Sequence, residues 1–92
     1  MTSLDESAAP RLADGVRLKF DEVRGQWVVL APERVIIPDE TAVEVLRRCD
    51  GETTLSAIID ALTASYDASR DEIAQDVGEL IAELTDKGVL NL

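Results

Sequence analysis

Ser69-Arg-Asp-Glu-Ile-Ala-Gln-Asp-Val-Gly-Glu-Leu-Ile-Ala-Glu-Leu-Thr-Asp-Lys87 decides the reading of this chain. At roughly 100° per residue, Ile73, Val77, Leu80, Ile81 and Leu84 gather on one arc, the stripe of a helix packed on a core. Ser69-x-x-Glu72 is a capping box that opens the helix, and Gly88 closes it. Two helical patterns precede it, so it stands third, where a helix-turn-helix protein keeps the helix that reads DNA. Yet it carries Asp71, Glu72, Asp76, Glu79, Glu83 and Asp86 against only Arg70 and Lys87. A phosphate backbone would repel such a helix. The stretch therefore points to a scaffold of the DNA-binding type adapted to hold something other than DNA.

Upstream, Thr53-Thr54 begins a second helix with Leu55, Ile58, Ile59, Leu62 and Tyr66 on one stripe. A first helix shows Ala42, Val45, Leu46 and Cys49 at helical spacing. Asp39 or Thr41 can cap it, Thr41-x-x-Glu44 forming a second capping box, and Asp50-Gly51 stops it. Before the helices the period changes to two. Val16, Leu18 and Phe20 alternate with polar residues, predicting a half-buried strand. Gln26 to Ala31 is apolar on both faces, as in a strand with a neighbour on each side. Arg34 to Ile37 is a third strand after the Pro32-Glu33 turn, and it ends at Pro38, which has no N–H to give. Val89-Leu90-Asn91-Leu92 is too short for a hairpin, so no wing is expected after the third helix. The fold class expected is α+β, winged-helix-like: an N-terminal three-stranded antiparallel β meander followed by three α-helices. Residues 1–9, small and acidic, are expected to be a disordered tail or linker, and residues 10–92 the domain.

Bulk composition agrees with one small domain. The chain has 92 residues, 46% of them hydrophobic, and a net charge of -10. That charge disfavours nucleic acid and anionic membrane as partners. The N-terminus lacks the pattern of a signal peptide, and no apolar run approaches a membrane span. A single cysteine, Cys49, cannot form an internal disulfide, which is consistent with a reducing, cytoplasmic setting.

There is no histidine, and one cysteine cannot build a zinc or iron–sulfur site. No phosphate-cradling glycine loop is present. The carboxylates read as a solvated face, Cys49 as a packed thiol and Trp27 as sheet packing. Catalytic residues, metal ligands and cofactors are therefore expected to be none. An acid-dependent hydrolase would need buried carboxylates, and a transcriptional regulator on the same scaffold would need a basic third helix.

Two features are open to a partner. Ala74, Gly78, Ala82 and Thr85 form an arc of small side chains beside the core stripe of helix three. Either one of the chain's own elements packs there or a partner's extended chain does. Arg34-Val-Ile-Ile37 is an edge strand with one unpaired row of N–H and C=O groups. Such an edge is either covered or recruits a strand.

The chain resembles the PqqD family of small pyrroloquinoline quinone biosynthesis proteins. The matching pieces are Pro10-x-Leu12, Trp27-Val-Val-Leu-Ala-Pro-Glu33, Leu46-x-x-Cys49-Asp50-Gly51, Asp76-Val77 with Leu80 and Leu84, and Gly88-Val-Leu90. A departure is Pro38-Asp39, where the family tends to have Leu-Asn. The resemblance implies a non-catalytic recognition element that binds a ribosomal precursor peptide, PqqA. It presents that peptide to PqqE, a radical S-adenosylmethionine enzyme that links a Glu and a Tyr of the peptide. It further implies a peptide held as an added strand between strand three and helix three. The site expected is then Arg34, Val35, Ile36 and Ile37 with Ala74, Val77, Gly78, Ile81 and Ala82. Family members occur alone or fused to a neighbouring enzyme, which would make residues 1–9 a former linker.

Overall fold

Alternating apolar residues build the first sheet. In the computed structural model, which describes residues 5–92, β2 (Arg17–Asp21) pairs antiparallel with β3 (Gln26–Ala31), and β3 with β4 (Arg34–Ile36). The order is β2-β3-β4, the meander expected, with β3 in the middle. Val29 on β3 is fully buried, while Trp27 takes an edge-on contact from Phe20 and the Arg47 guanidinium over its ring. Ile37 falls just outside β4, because Pro38 ends the ladder beyond it.

Three helices follow. In α1 (Glu40–Leu46) the cap is Asp39, whose carboxylate accepts from the Ala42 N–H at 2.8 Å, so the box at Thr41 is not used. The helix stops at Leu46, earlier than its stripe suggested. Cys49 lies in the turn beyond, buried, its thiol donating to the Val45 carbonyl. In α2 (Leu55–Ser65) the Thr54 hydroxyl caps Ala57. In α3 (Arg70–Asp86) the Ser69 hydroxyl accepts from Glu72 N–H and donates back to the Glu72 carboxylate. The reciprocal bond thus runs side chain to side chain rather than to the cap's own N–H. Leu55, Ile58, Leu62, Val77 and Ile81 meet Val29 and Val45 in one core.

The end of α3 produces an element that no periodicity announced. Gly88 (φ 77°) and the bonds Gly88 N–H to Thr85 C=O and Val89 N–H to Leu84 C=O form a Schellman turn. The turn aims Val89 and Leu90 into the core, each about 1% exposed. It also sets β5 (Leu90–Asn91) against β1 (Arg11–Leu12) as a second, two-stranded sheet. The meander is therefore not the only sheet, although no wing hairpin forms. On its other side Arg11 bridges to Asp50, where Gly51 (φ 81°) donates to the Pro10 carbonyl.

Residues 1–4 of the expected tail lie outside the described residues. The remainder does not hang free. Ala8 and Glu6 carbonyls accept from Leu55 and Ser56 N–H at the start of α2, and Pro10 is buried. Arg70 ties Glu6 to Asp60 of α2 at 2.8 and 2.7 Å. Composition alone could not foresee the bonds from Leu55 and Ser56, since their acceptors are backbone carbonyls.

Candidate functional site

An open sheet edge and one flank of α3 define the site. β4 bonds to β3 on one side only. The Pro32-Glu33 connection closes on the pair Ala31–Arg34. Among the described residues none other than glycine has positive φ, so this is a type I turn, closed by a bond between its ends. Bonded and unbonded pairs alternate along an antiparallel ladder. Val29–Ile36 is then bonded and Leu30–Val35 is not. The N–H and C=O groups of Val35 point away from β3, towards any added strand, and Ile37 continues the same alternation. Their side chains are also open, Val35 at 62% and Ile37 at 57% exposure, while Ile36 packs on the core.

α3 runs beside this edge in the opposite direction. At one end Arg34 donates to the backbone carbonyl of Lys87, where the last turn of α3 has unsatisfied carbonyls. At the other end Thr41, four residues past Ile37, shares a cleft of about 290 Å³ with Leu62, Tyr66, Ile73, Asp76 and Val77. A corridor thus runs from Arg34–Lys87 to Thr41–Asp76. On the helical wheel Asp76 and Leu80 fall within roughly 40° of each other, and Asp76 lines the cleft.

The expected site residues divide accordingly. Arg34, Val35, Ile36 and Ile37 line the corridor's strand side. Val77 lines the cleft but is 2% exposed, and Ile81, at 0%, supports the helix from within the core and offers no surface. Ala74 and Gly78 are half-buried and Ala82 is exposed. These three lie across the core stripe, roughly half a turn of the helix from Asp76, Leu80 and Lys87. Arg70, one turn before Ala74, reaches α2 and Glu6. Periodicity put them on one face but could not say which element faces it. Asp76, absent from the expected site, lines the cleft, and Leu80 lies one turn further along α3 and packs on the core.

No group of three or more metal-ligating side chains comes together among the described residues, and no described helix is long and apolar enough to cross a membrane. The groups with shifted proton affinity lie away from the corridor. Burial pushes the Cys49 thiol up to about 12, with a smaller push from Asp50. Backbone N–H bonds from Thr53 and Glu52 hold Asp50 below the usual carboxylate range. Hydrogen bonds to Glu6 and Asp60 raise Arg70.

The family model "Coenzyme PQQ synthesis protein D (PqqD)" matches residues 26–90, most of the chain. The chain belongs to the PqqD family. It is 53% identical over 88 residues to the "PqqA binding protein" of Rhodopseudomonas palustris (strain ATCC BAA-98 / CGA009), covering 96% of this chain and 86% of that protein. The solution structure of the PqqD part of Methylobacterium extorquens PqqCD is similar at a TM-score of 0.80 and 45% identity. It covers 99% of this chain and 97% of that one, and is described as a functional, stand-alone recognition element for ribosomally synthesised and post-translationally modified peptides. A lasso peptide synthetase B1, solved with its leader peptide, shares the fold at a TM-score of 0.73 and 20% identity, covering 92% of this chain and all of that one. The resemblance read from Trp27–Glu33, Cys49–Gly51 and Gly88–Leu90 is thus a family relationship.

Proposed function

We propose that this chain is a non-catalytic adaptor of pyrroloquinoline quinone biosynthesis. It binds the precursor peptide PqqA as a strand added to β4 and presents it to the radical S-adenosylmethionine enzyme PqqE. The observation that carries this reading is the outward row of backbone groups at Val35 and Ile37, beside two exposed apolar side chains. Main-chain pairing supplies affinity in strand addition, and the flanking side chains supply selectivity. The names of the relatives at 53% and 45% identity support the same role. The site proposed is Arg34, Val35, Ile36 and Ile37 with Asp76, Val77 and Leu80. The small stripe Ala74, Gly78 and Ala82 is the alternative helix face for the peptide, and mutation separates the two. The chain needs no cofactor for this task and is expected to work in the cytoplasm.

The test is reconstitution. PqqA is incubated with PqqE, its reductant and S-adenosylmethionine, with and without this chain, and followed by mass spectrometry. The cross-linked peptide should accumulate only when the chain is present, and the chain alone should leave the peptide mass unchanged. Equal cross-linking without the chain contradicts the adaptor role, and cross-linking by the chain alone contradicts its lack of chemistry.

A further inference from the structure

The cleft at the end of the corridor has a composition that strand pairing does not explain. Leu62, Tyr66, Ile73 and Val77 make an apolar wall, and Asp67 and Asp76 stand at its rim. Both carboxylates are exposed. Among the described residues neither takes part in an ion pair, since the arginines and the lysine that pair do so with Asp21, Glu44, Glu6, Asp60 and Glu83. An apolar occupant would fill the wall but strip water from two uncompensated charges, which is costly. A long cationic side chain satisfies both parts. Its methylenes cover apolar surface while its head stays at the wet rim. The volume, about 290 Å³, is at the lower end for ligand pockets and suits one such side chain rather than a segment of backbone.

We propose that this cleft takes a lysine or arginine side chain of the bound peptide, with its stem on Tyr66, Ile73 and Val77 and its charge between Asp67 and Asp76. The assignment rests on the strand-addition reading, because Thr41 follows β4 closely in the chain and brings a β4-paired peptide to the cleft. It extends that reading by giving the peptide a charged anchor directly beyond its paired segment, and so a fixed register on the edge.

The experiment is a set of calorimetric titrations with PqqA and with variants in which each lysine or arginine is replaced singly by methionine, which keeps a flexible apolar stem and removes the charge. Each peptide is titrated into the wild-type chain, D67N/D76N and V35P. One replacement should weaken binding to the wild type by about three- to tenfold, as expected for two exposed charge pairs. The same replacement should have no effect on D67N/D76N, whose affinity for unmodified PqqA should already be lowered by that factor. If no replacement distinguishes the two proteins, the cleft assignment is overturned. V35P separates this from the underlying reading, because it removes only the outward N–H of an edge strand. Loss of binding by V35P with no charge coupling at the cleft leaves strand addition standing and the cleft assignment fallen. Unchanged binding by V35P with clear coupling does the reverse.

Discussion

Arg34, the first residue of β4, donates from its guanidinium to the main-chain carbonyl of Lys87 at the C-terminal end of α3. A cation there meets the negative end of the helix dipole and satisfies one of its orphan carbonyls. The bond ties the sheet edge to the end of α3 remote from the cleft. Removing it by Arg34→Ala should cost about 0.5–1 kcal/mol, less than a buried charged hydrogen bond because the group is exposed. Thermal unfolding should fall by roughly 2–8 °C for a domain of this size. An unchanged midpoint would mean that the contact contributes nothing.

The two flanks of α3 make opposite predictions. Leu80→Asp places a charge on the flank proposed for the peptide and should lower PqqA affinity by at least about tenfold, measured on protein shown to be folded because Leu80 also packs on the core. Ala82→Leu adds bulk to an exposed position on the other flank, where leucine is close to alanine in helix propensity, and should leave both affinity and stability nearly as they are. A binding defect in Ala82→Leu with a normal Leu80→Asp would show that the peptide lies on the small stripe.

The reason both flanks had to be considered lies in what a sequence encodes. Gln26–Ala31 was legible as a central strand and Ser69 as a cap, because each is a local pattern of side chains along one segment. The pairing of Arg11–Leu12 with Leu90–Asn91 was not, since two-residue strands have no period and their partners are separated by nearly the whole chain. Thr41 matched the capping pattern, but Asp39 reaches the Ala42 N–H first. Ala74, Gly78 and Ala82 do share an arc. Which partner lies along that arc is a long-range relation that helical spacing does not encode.

Cys49 gives the fold an alkaline sensitivity. In the unfolded chain the thiol ionises in its ordinary range, near 8.5. In the folded protein burial raises it to about 12. A raised folded value means its contribution is complete below the unfolded pKa and is lost as pH rises towards the folded one. Between about pH 9 and 12 this one group should lower stability by about 1.4 kcal/mol per pH unit. Denaturant unfolding of the wild type and Cys49→Ala at pH 8 and 10.5 isolates it. The gap between the two should narrow at the higher pH, and parallel losses would contradict the burial of the thiol.

Duplex DNA should not bind. Asp71, Glu72, Asp76, Glu79, Glu83 and Asp86 are all exposed along α3, and the chain carries a net charge of -10. A gel shift at low ionic strength, where attraction to phosphate is strongest, should show no complex at micromolar protein. A shift there would restore the regulator reading that the acidic helix argues against.

Strand addition at β4 is tested most directly by amide hydrogen exchange of the isotope-labelled chain, followed residue by residue with and without PqqA. The outward N–H groups of Val35 and Ile37 should be fast in the free protein and slow by at least about tenfold when the peptide is bound. Ile36, already paired to Val29, should change much less. Protection confined to β2, the other edge of the sheet, or no protection at Val35 and Ile37 while the peptide is bound, would contradict the account.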